Sequence, residues 1–417
     1  MDAADLSPVP EARRTQPAID LFLIFVAANV VATTLQTGAV LGSRIGGSQA
    51  WLVTMAGAAF GALLVALLAP VGSRWGVPSM IAARAPLGYR GGQLVSGLLF
   101  VTNFAWIAVN NQIAASACAQ VAGGPNTILL WSGALGIFST AIVAAGPRAV
   151  GFADRFAVPI MAIAGAVLTY AAFTHPAPLA PQTPVALLAP DLLWSLDVVI
   201  GYQVSWLLMF ADYSRYTRSG RAAGVAVWAG LALPAFWLMP LGLTLARIAG
   251  SADPGVMLSS IGQGWWTAAL ITLASVTTNF VNIYMSSLAW RTLSKGARGA
   301  SSVWVIGIIG TALGLMSTVW LTRFADLMVI LGSVLVPVGG VFLAHFVVLR
   351  RAIELDTVYD TTRLPAFNRA GISAWLGGFI VYRLAAPIGA TLPALAASIA
   401  IYAVMARRTA SRDGFVT

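Results

Sequence analysis

Charge is what this sequence has least of. Asp, Glu, Lys and Arg make up only 9% of 417 residues, against about a quarter in soluble domains, which excludes an ordinary water-facing globular surface. Cysteine is nearly absent. Cys118 stands alone, ruling out an internal disulfide or a cysteine metal cluster, and its apolar neighbours suit a buried, inert thiol. The two histidines are His175, in a proline-rich loop expected to be solvated, and His345, better placed to hydrogen-bond a neighbour than to bind metal. The sequence contains no Ser/His/Asp group, no H-E-x-x-H and no phosphate-binding loop, so nothing points to an enzyme or a resident cofactor. It also lacks the order of a signal peptide at its start and any long polar segment that would form a soluble appendage.

Apolar residues fill the chain instead, at 59% with a mean hydropathy of +0.84. Apolar runs long enough to cross a bilayer, each about 20 residues, fall near 19–42, 48–73, 91–120, 126–146, 154–174, 191–211, 223–247, 266–290, 301–321, 326–350, 371–388 and 390–406. This predicts an all-α polytopic membrane protein of about 12 transmembrane helices. Its organisation reads as a tail over 1–18, one transmembrane domain over 19–406 and a second tail over 407–417. Within the domain, 19–174 and 191–350 would be two repeats of opposite topology, and 371–406 two extra helices.

The net charge of +10 reports topology rather than a nucleic-acid partner. All Lys and Arg residues except Arg44, Arg247, Arg323 and Arg383 cluster at alternate ends of the runs or in the two tails. By the positive-inside rule both termini are cytoplasmic, in a plasma membrane. Lipid is then the surrounding solvent, and oligomeric state is not readable.

Polar groups inside the runs carry the functional signal. Asp197, Gln203 and Ser205 lie in the sixth run, where an ionisable group facing lipid costs at least about 2.5 kcal/mol. Gly201 suggests a break in that helix. The first run has a polar stripe at Asn29, Thr33, Thr34, Gln36 and Thr37, with a β-branched stretch that weakens helix propensity. Interrupted helices at matched positions of two inverted repeats are how several transporters hold substrate at mid-membrane; threonines hydrogen-bonding between helices are the plainer alternative. In the third run Trp106 and Asn110 share a helical face, an aromatic wall beside an amide that suits a planar heterocycle. In the eighth, Ala274, Thr277 and Thr278 place oxygens together as a small hard cation prefers, with Asn279 and Asn282 further along.

Five stretches, AANVVATTLQTG (27–38), GVPSMIAARAPLGYRG (76–91), NFAWIAVNNQ (103–112), SWLLMFADYSRY (205–216) and TTNFVNIYMSS (277–287), together resemble the nucleobase:cation symporter family, in its branch of cytosine and hydroxymethylpyrimidine permeases. The resemblance implies a leucine-transporter-type fold of two inverted five-helix repeats plus two C-terminal helices, alternating access, and a small nucleobase-like substrate bound between spans one, three, six and eight. Carried over, it assigns Trp106, Asn110 and Asn282 to the substrate, with Asn29 and Asn279 beside them. It gives Ala274, Thr277 and Thr278, with backbone carbonyls near Ala27 and Val30, to sodium. The family's span-six aromatic falls on Gln203, leaving Tyr202 or Trp206 to stack. Sodium is the first-choice coupling ion. A proton taken up by Asp197 is the alternative, and an ion channel is disfavoured because no ring of like charge or filter-like carbonyl segment is present.

Overall fold

The computed structural model describes residues 6–42, 44–146, 165–174, 188–261, 264–293, 300–316 and 318–413, with the isolated positions 159, 162, 163 and 186. His175 lies outside the described residues. Among the described residues no β-strand occurs, and every apolar run coincides wholly or partly with helix. The first run becomes α1 (Ala18–Asn29) and α2 (Ala32–Ala39), bent by 55° at the break between them. The remaining helices of the first half are α3 (Gly47–Ala66), α4 (Ala69–Trp75), the short α5 (Ser79–Ala82) and α6 (Arg84–Leu87), α7 (Tyr89–Val121), α8 (Ile128–Ala144) and α9 (Gly165–Thr174). The second half holds α10 (Pro190–Val204), α11 (Gly220–Ala249), α12 (Pro254–Ser260), α13 (Gly264–Leu293), α14 (Ala300–Leu315), α15 (Thr318–Thr322) and α16 (Phe324–Leu343). After α17 (Leu355–Tyr359), α18 (Arg369–Leu384) and α19 (Thr391–Asp413) form a closing hairpin. Seven helices, or eight with the bent pair, are long and apolar enough to cross a membrane among the described residues.

Small residues set the packing, as expected where lipid removes the hydrophobic drive between helices and close van der Waals contact replaces it. A Cβ at Gly38 of α2 would fall onto the Met239 carbonyl of α11, and one at Gly242 of α11 onto the Leu35 carbonyl of α2. These two helices therefore meet backbone to backbone. α7, α8, α13 and α14 form a second block around Ile107, Val143, Val276, Phe280, Ile283, Val303 and Ile306. There Gly136 faces Thr311 and Gly307 faces Thr140 at distances that leave no room for a side chain.

Gly201 corrects an expectation. α10 runs through it without interruption to Val204, because its missing side chain admits the Met328 backbone of α16. The helix changes four residues later, where Ser205–Met209 tighten into a 3-10 turn and Phe210–Tyr213 leave helical form. Span six is thus interrupted, beyond the glycine rather than at it.

Candidate functional site

The site forms where the two interruptions meet. At the first, Val30 (φ −83°, ψ 68°) leaves helical geometry and Val31 (φ −137°, ψ 159°) is extended, a conformation that β-branched side chains accept readily. Thr34 then stabilises the bend, its hydroxyl donating to the Asn29 carbonyl at 2.6 Å. Tyr202, in the last turn of α10, reaches across with its hydroxyl 2.6 Å from Thr34 Oγ1 and 3.2 Å from Thr33 Oγ1. Its ring meets Trp106 edge to face, centroids 5.8 Å apart at 85°. One tyrosine therefore couples spans one, three and six.

Beneath it lies an amide pair. Asn29 Nδ2 donates to the Leu231 carbonyl of α11 at 2.5 Å and to Gln203 Oε1 at 3.5 Å, while Gln203 Nε2 donates to the same carbonyl at 3.3 Å. Both side chains are fully buried. Their groups are spent on joining α1, α10 and α11. Trp106, Trp206, Thr278 and Asn282 are instead part-exposed. Trp206 packs edge to face on Phe25 of α1, centroids 5.9 Å apart.

Asn110 donates to the Trp106 carbonyl at 2.9 Å, and Asn279 Nδ2 donates to Asn111 Oδ1 at 2.8 Å. Asn110 Oδ1, Asn279 Oδ1 and Asn282 Nδ2 have no protein partner. Native interiors rarely leave such atoms unpaired without water or a ligand to receive them. The site so assembled offers an aromatic surface, two amide acceptors and one amide donor along the α7–α13 seam, which can take the edge of a flat ring.

On α13, Thr277 Oγ1 donates to the Leu273 and Ala274 carbonyls at 2.9 and 3.1 Å, and Thr278 Oγ1 to the Ala274 carbonyl at 2.8 Å. Hydroxyls that send their proton back along their own helix present lone pairs outward, as a cation ligand must. α13 packs against α2, beyond the break. Ala27 lies in the last turn of α1, on the other side of it, and Val30 in the break itself.

Asp197 goes elsewhere. Its carboxylate accepts the Ala390 and Thr391 amides at 2.8 and 3.0 Å, capping the amino end of α19. Asp212 accepts the Ser79 amide of α5 at 3.4 Å. His345 Nδ1 lies 2.6 Å from the Tyr402 hydroxyl, a hydrogen bond to a neighbour as expected. No group of His, Cys, Asp or Glu able to hold a metal occurs among the described residues.

Sequence reasoning did not find the joint that ties the end of span six to α4 and α5. The Ala211 amide donates to Ser79 Oγ at 2.8 Å, Ser214 Oγ to the Ala69 carbonyl at 2.7 Å and Ser73 Oγ to the Ser214 carbonyl at 3.1 Å. Residues 211–216 thus dock on α4 and α5 where span six ends.

The family model described as permease for cytosine/purines, uracil, thiamine, allantoin matches residues 8–405. The chain belongs to that family. This permease is 25% identical to the cytosine permease of Escherichia coli (strain K12), over 96% of this chain and 94% of that one. Its fold resembles the inward-facing structure of Mhp1, with a TM-score of 0.82 at 17% identity over 97% of this chain and 93% of the other. Mhp1, a nucleobase-cation-symport-1 family transporter, also matches in a closed form with bromovinylhydantoin bound, with a TM-score of 0.78 at the same identity over 98% and 95%. A Na+-coupled sialic acid symporter is more distantly similar, with a TM-score of 0.55 at 10% identity over 94% and 96%. The permease is therefore a multi-pass membrane transporter and not an enzyme.

Proposed function

We propose that this permease is a secondary active symporter that imports a planar nucleobase-like molecule, of the cytosine, hydroxymethylpyrimidine or purine kind, together with sodium by alternating access. The observation that carries this reading is the meeting of two interrupted helices beside Trp106, with unpaired amide atoms on Asn110, Asn279 and Asn282 around it. Trp106 supplies the stacking face, and of the two span-six candidates Trp206 is part-exposed while Tyr202 is buried. Tyr202, Asn29 and Gln203 position the breaks from behind. Sodium would sit between the α1 break, through the Ala27 and Val30 carbonyls, and Thr277, Thr278 and the Ala274 carbonyl on α13. Coupling follows if the ion binds better to the form that also holds substrate, because a ligand shifts a conformational equilibrium only by its differential affinity. The bound hydantoin of Mhp1 and the sodium coupling of the sialic acid symporter support a small polar substrate and this ion. The basic residues along the chain support a plasma-membrane location with both termini inside.

Radiolabelled cytosine uptake into proteoliposomes tests the reading. Uptake should saturate, depend on an inward sodium gradient, and disappear in Trp106→Ala. Equal uptake with a proton gradient alone would replace sodium by the proton; retention of uptake in Trp106→Ala would overturn the site.

A further inference from the structure

The outer side of α7 carries a groove that the transport site does not use. Its floor is one stripe of that helix, Arg90, Gln93, Leu94, Gly97, Leu98 and Val101, spaced i, i+3, i+4, i+7, i+8 and i+11 as a single helical face is. Leu293 at the carboxyl end of α13, with Phe367 and Trp375 around the start of α18, makes the walls. The volume is about 680 Å³, within the range of about 300–1,000 Å³ that holds small molecules in proteins. The walls are held in place. Trp375 Nε1 donates to the Val334 carbonyl of α16 at 3.0 Å, and the Tyr89 and Arg90 amides donate to the Pro365 and Ala366 carbonyls at 3.0 and 2.8 Å.

Gly97 keeps the groove deep. A Cβ at Gly38 or Gly242 would strike a neighbouring backbone, whereas one at Gly97 would meet nothing within 4 Å. Gly124, Gly146 and Gly250 also meet nothing, but their positive φ explains them, and Gly97 has ordinary helical φ. A glycine inside a helix costs about 1 kcal/mol relative to alanine, and at this position its missing side chain admits no other helix. Length and charge then say what fits. The stripe from Arg90 to Val101 covers about 16 Å of helix, close to half of a hydrocarbon core of about 30 Å, so the groove spans one leaflet. Leu94 and Val101 on it are 49% and 63% exposed. The sequences of α7, α13 and α18 contain no Asp or Glu. Arg90 and Arg369 open α7 and α18 and Arg291 lies near the close of α13, all at the end that the positive-inside rule makes cytoplasmic. Neither Arg90 nor Arg369 has an ion-pair partner among the described residues.

We infer that this groove binds one anionic phospholipid of the inner leaflet, an acyl chain lying along Gly97 and the headgroup phosphate at Arg90, with the Gln93 amide donating beside it. Basic pockets between transmembrane helices on the cytoplasmic side take anionic headgroups. A groove that ends at mid-membrane, with cations at one end only, matches a molecule with one charged end and an apolar tail; a partner helix would need a face that crosses the whole core. A second groove, lined by Ile19 and Phe22 of α1 and by Ser219 and Arg221 before and within α11, also carries an arginine. There Asp20 stands in the first turn of α1, so its charge is mixed.

The experiment titrates delipidated permease in detergent with dioleoyl phosphatidylglycerol and, separately, dioleoyl phosphatidylcholine, counting the lipids retained per chain by native mass spectrometry. One phosphatidylglycerol should be retained in preference to phosphatidylcholine. Arg90→Gln should weaken it about fivefold, the worth of one arginine beside an anionic headgroup, with the lipid-free melting midpoint unchanged. Gly97→Phe should abolish retention by filling the groove, and Arg221→Gln should change nothing. Equal retention of the two lipids, undiminished retention in Gly97→Phe, or equal loss in Arg221→Gln reduces the groove to part of the ordinary lipid shell and overturns the inference. A two-chain mass that becomes one chain in Gly97→Phe gives the groove to a second copy and overturns it too. If Gly97→Phe does not fold, Arg90→Gln carries the test, because the contact at Arg90 that holds the wall is made by its backbone. No nucleobase or sodium enters these measurements, so their outcome is independent of the proposed transport.

Discussion

Asp197→Asn separates a helix cap from a proton carrier. In the structure the carboxylate is 5% exposed and holds the amides of Ala390 and Thr391 at 2.8 and 3.0 Å. It thereby ties α10, whose last turn carries Tyr202, to the amino end of α19. Hydrogen bonds to a charged group contribute about 1.5–3 kcal/mol each, and a negative charge at a helix amino terminus adds about 0.3–1 kcal/mol. Asparagine keeps one acceptor oxygen but replaces the other with an amide that would oppose a backbone N–H. The expected loss is about 2–4 kcal/mol of stability, with Asp197→Ala worse because two buried amides are stranded. Thermal unfolding of purified protein in detergent measures it directly, alongside sodium-driven cytosine uptake by whatever fraction remains folded. If Asp197→Asn melts with the parent protein but loses uptake and its pH dependence together, the cap is incidental and the carboxylate couples protons.

Thr278→Ala removes a hydroxyl whose lone pairs face outward from α13. The sodium concentration for half-maximal uptake should rise at least about tenfold, the equivalent of one lost ligand of about 1.4 kcal/mol, while the melting midpoint stays near the parent's. Gly242→Ala places a methyl on the Leu35 carbonyl and should cost about 1–3 kcal/mol through overpacking, read as a lower melting midpoint. Equal stability would mean that α2 and α11 separate more readily than their backbone contact implies.

How much of this was legible beforehand depends on the kind of signal. Apolar runs locate helices because each must satisfy its own backbone in lipid, and among the described residues each coincides wholly or partly with helix. The break in span one was legible because its cause is local: Val30 and Val31 are β-branched and Thr34 supplies the hydroxyl that bridges them. Span six was misplaced by four residues because glycine has two uses that a sequence writes identically, freedom to unwind and room for a neighbour's backbone. Gly201 serves the second, and only the position of Met328 reveals it. The same ambiguity divides the polar residues. Asn29, Gln203 and Asp197 were conspicuous for being polar in lipid, and the structure gives each of them protein partners. Asn110, Asn279 and Asn282 were conspicuous in the same way, and only a three-dimensional account of who pairs with whom shows that each keeps an unpaired atom. In a membrane interior, polarity in the sequence marks where a hydrogen bond must be made, and function concentrates where the folded protein has left one unmade.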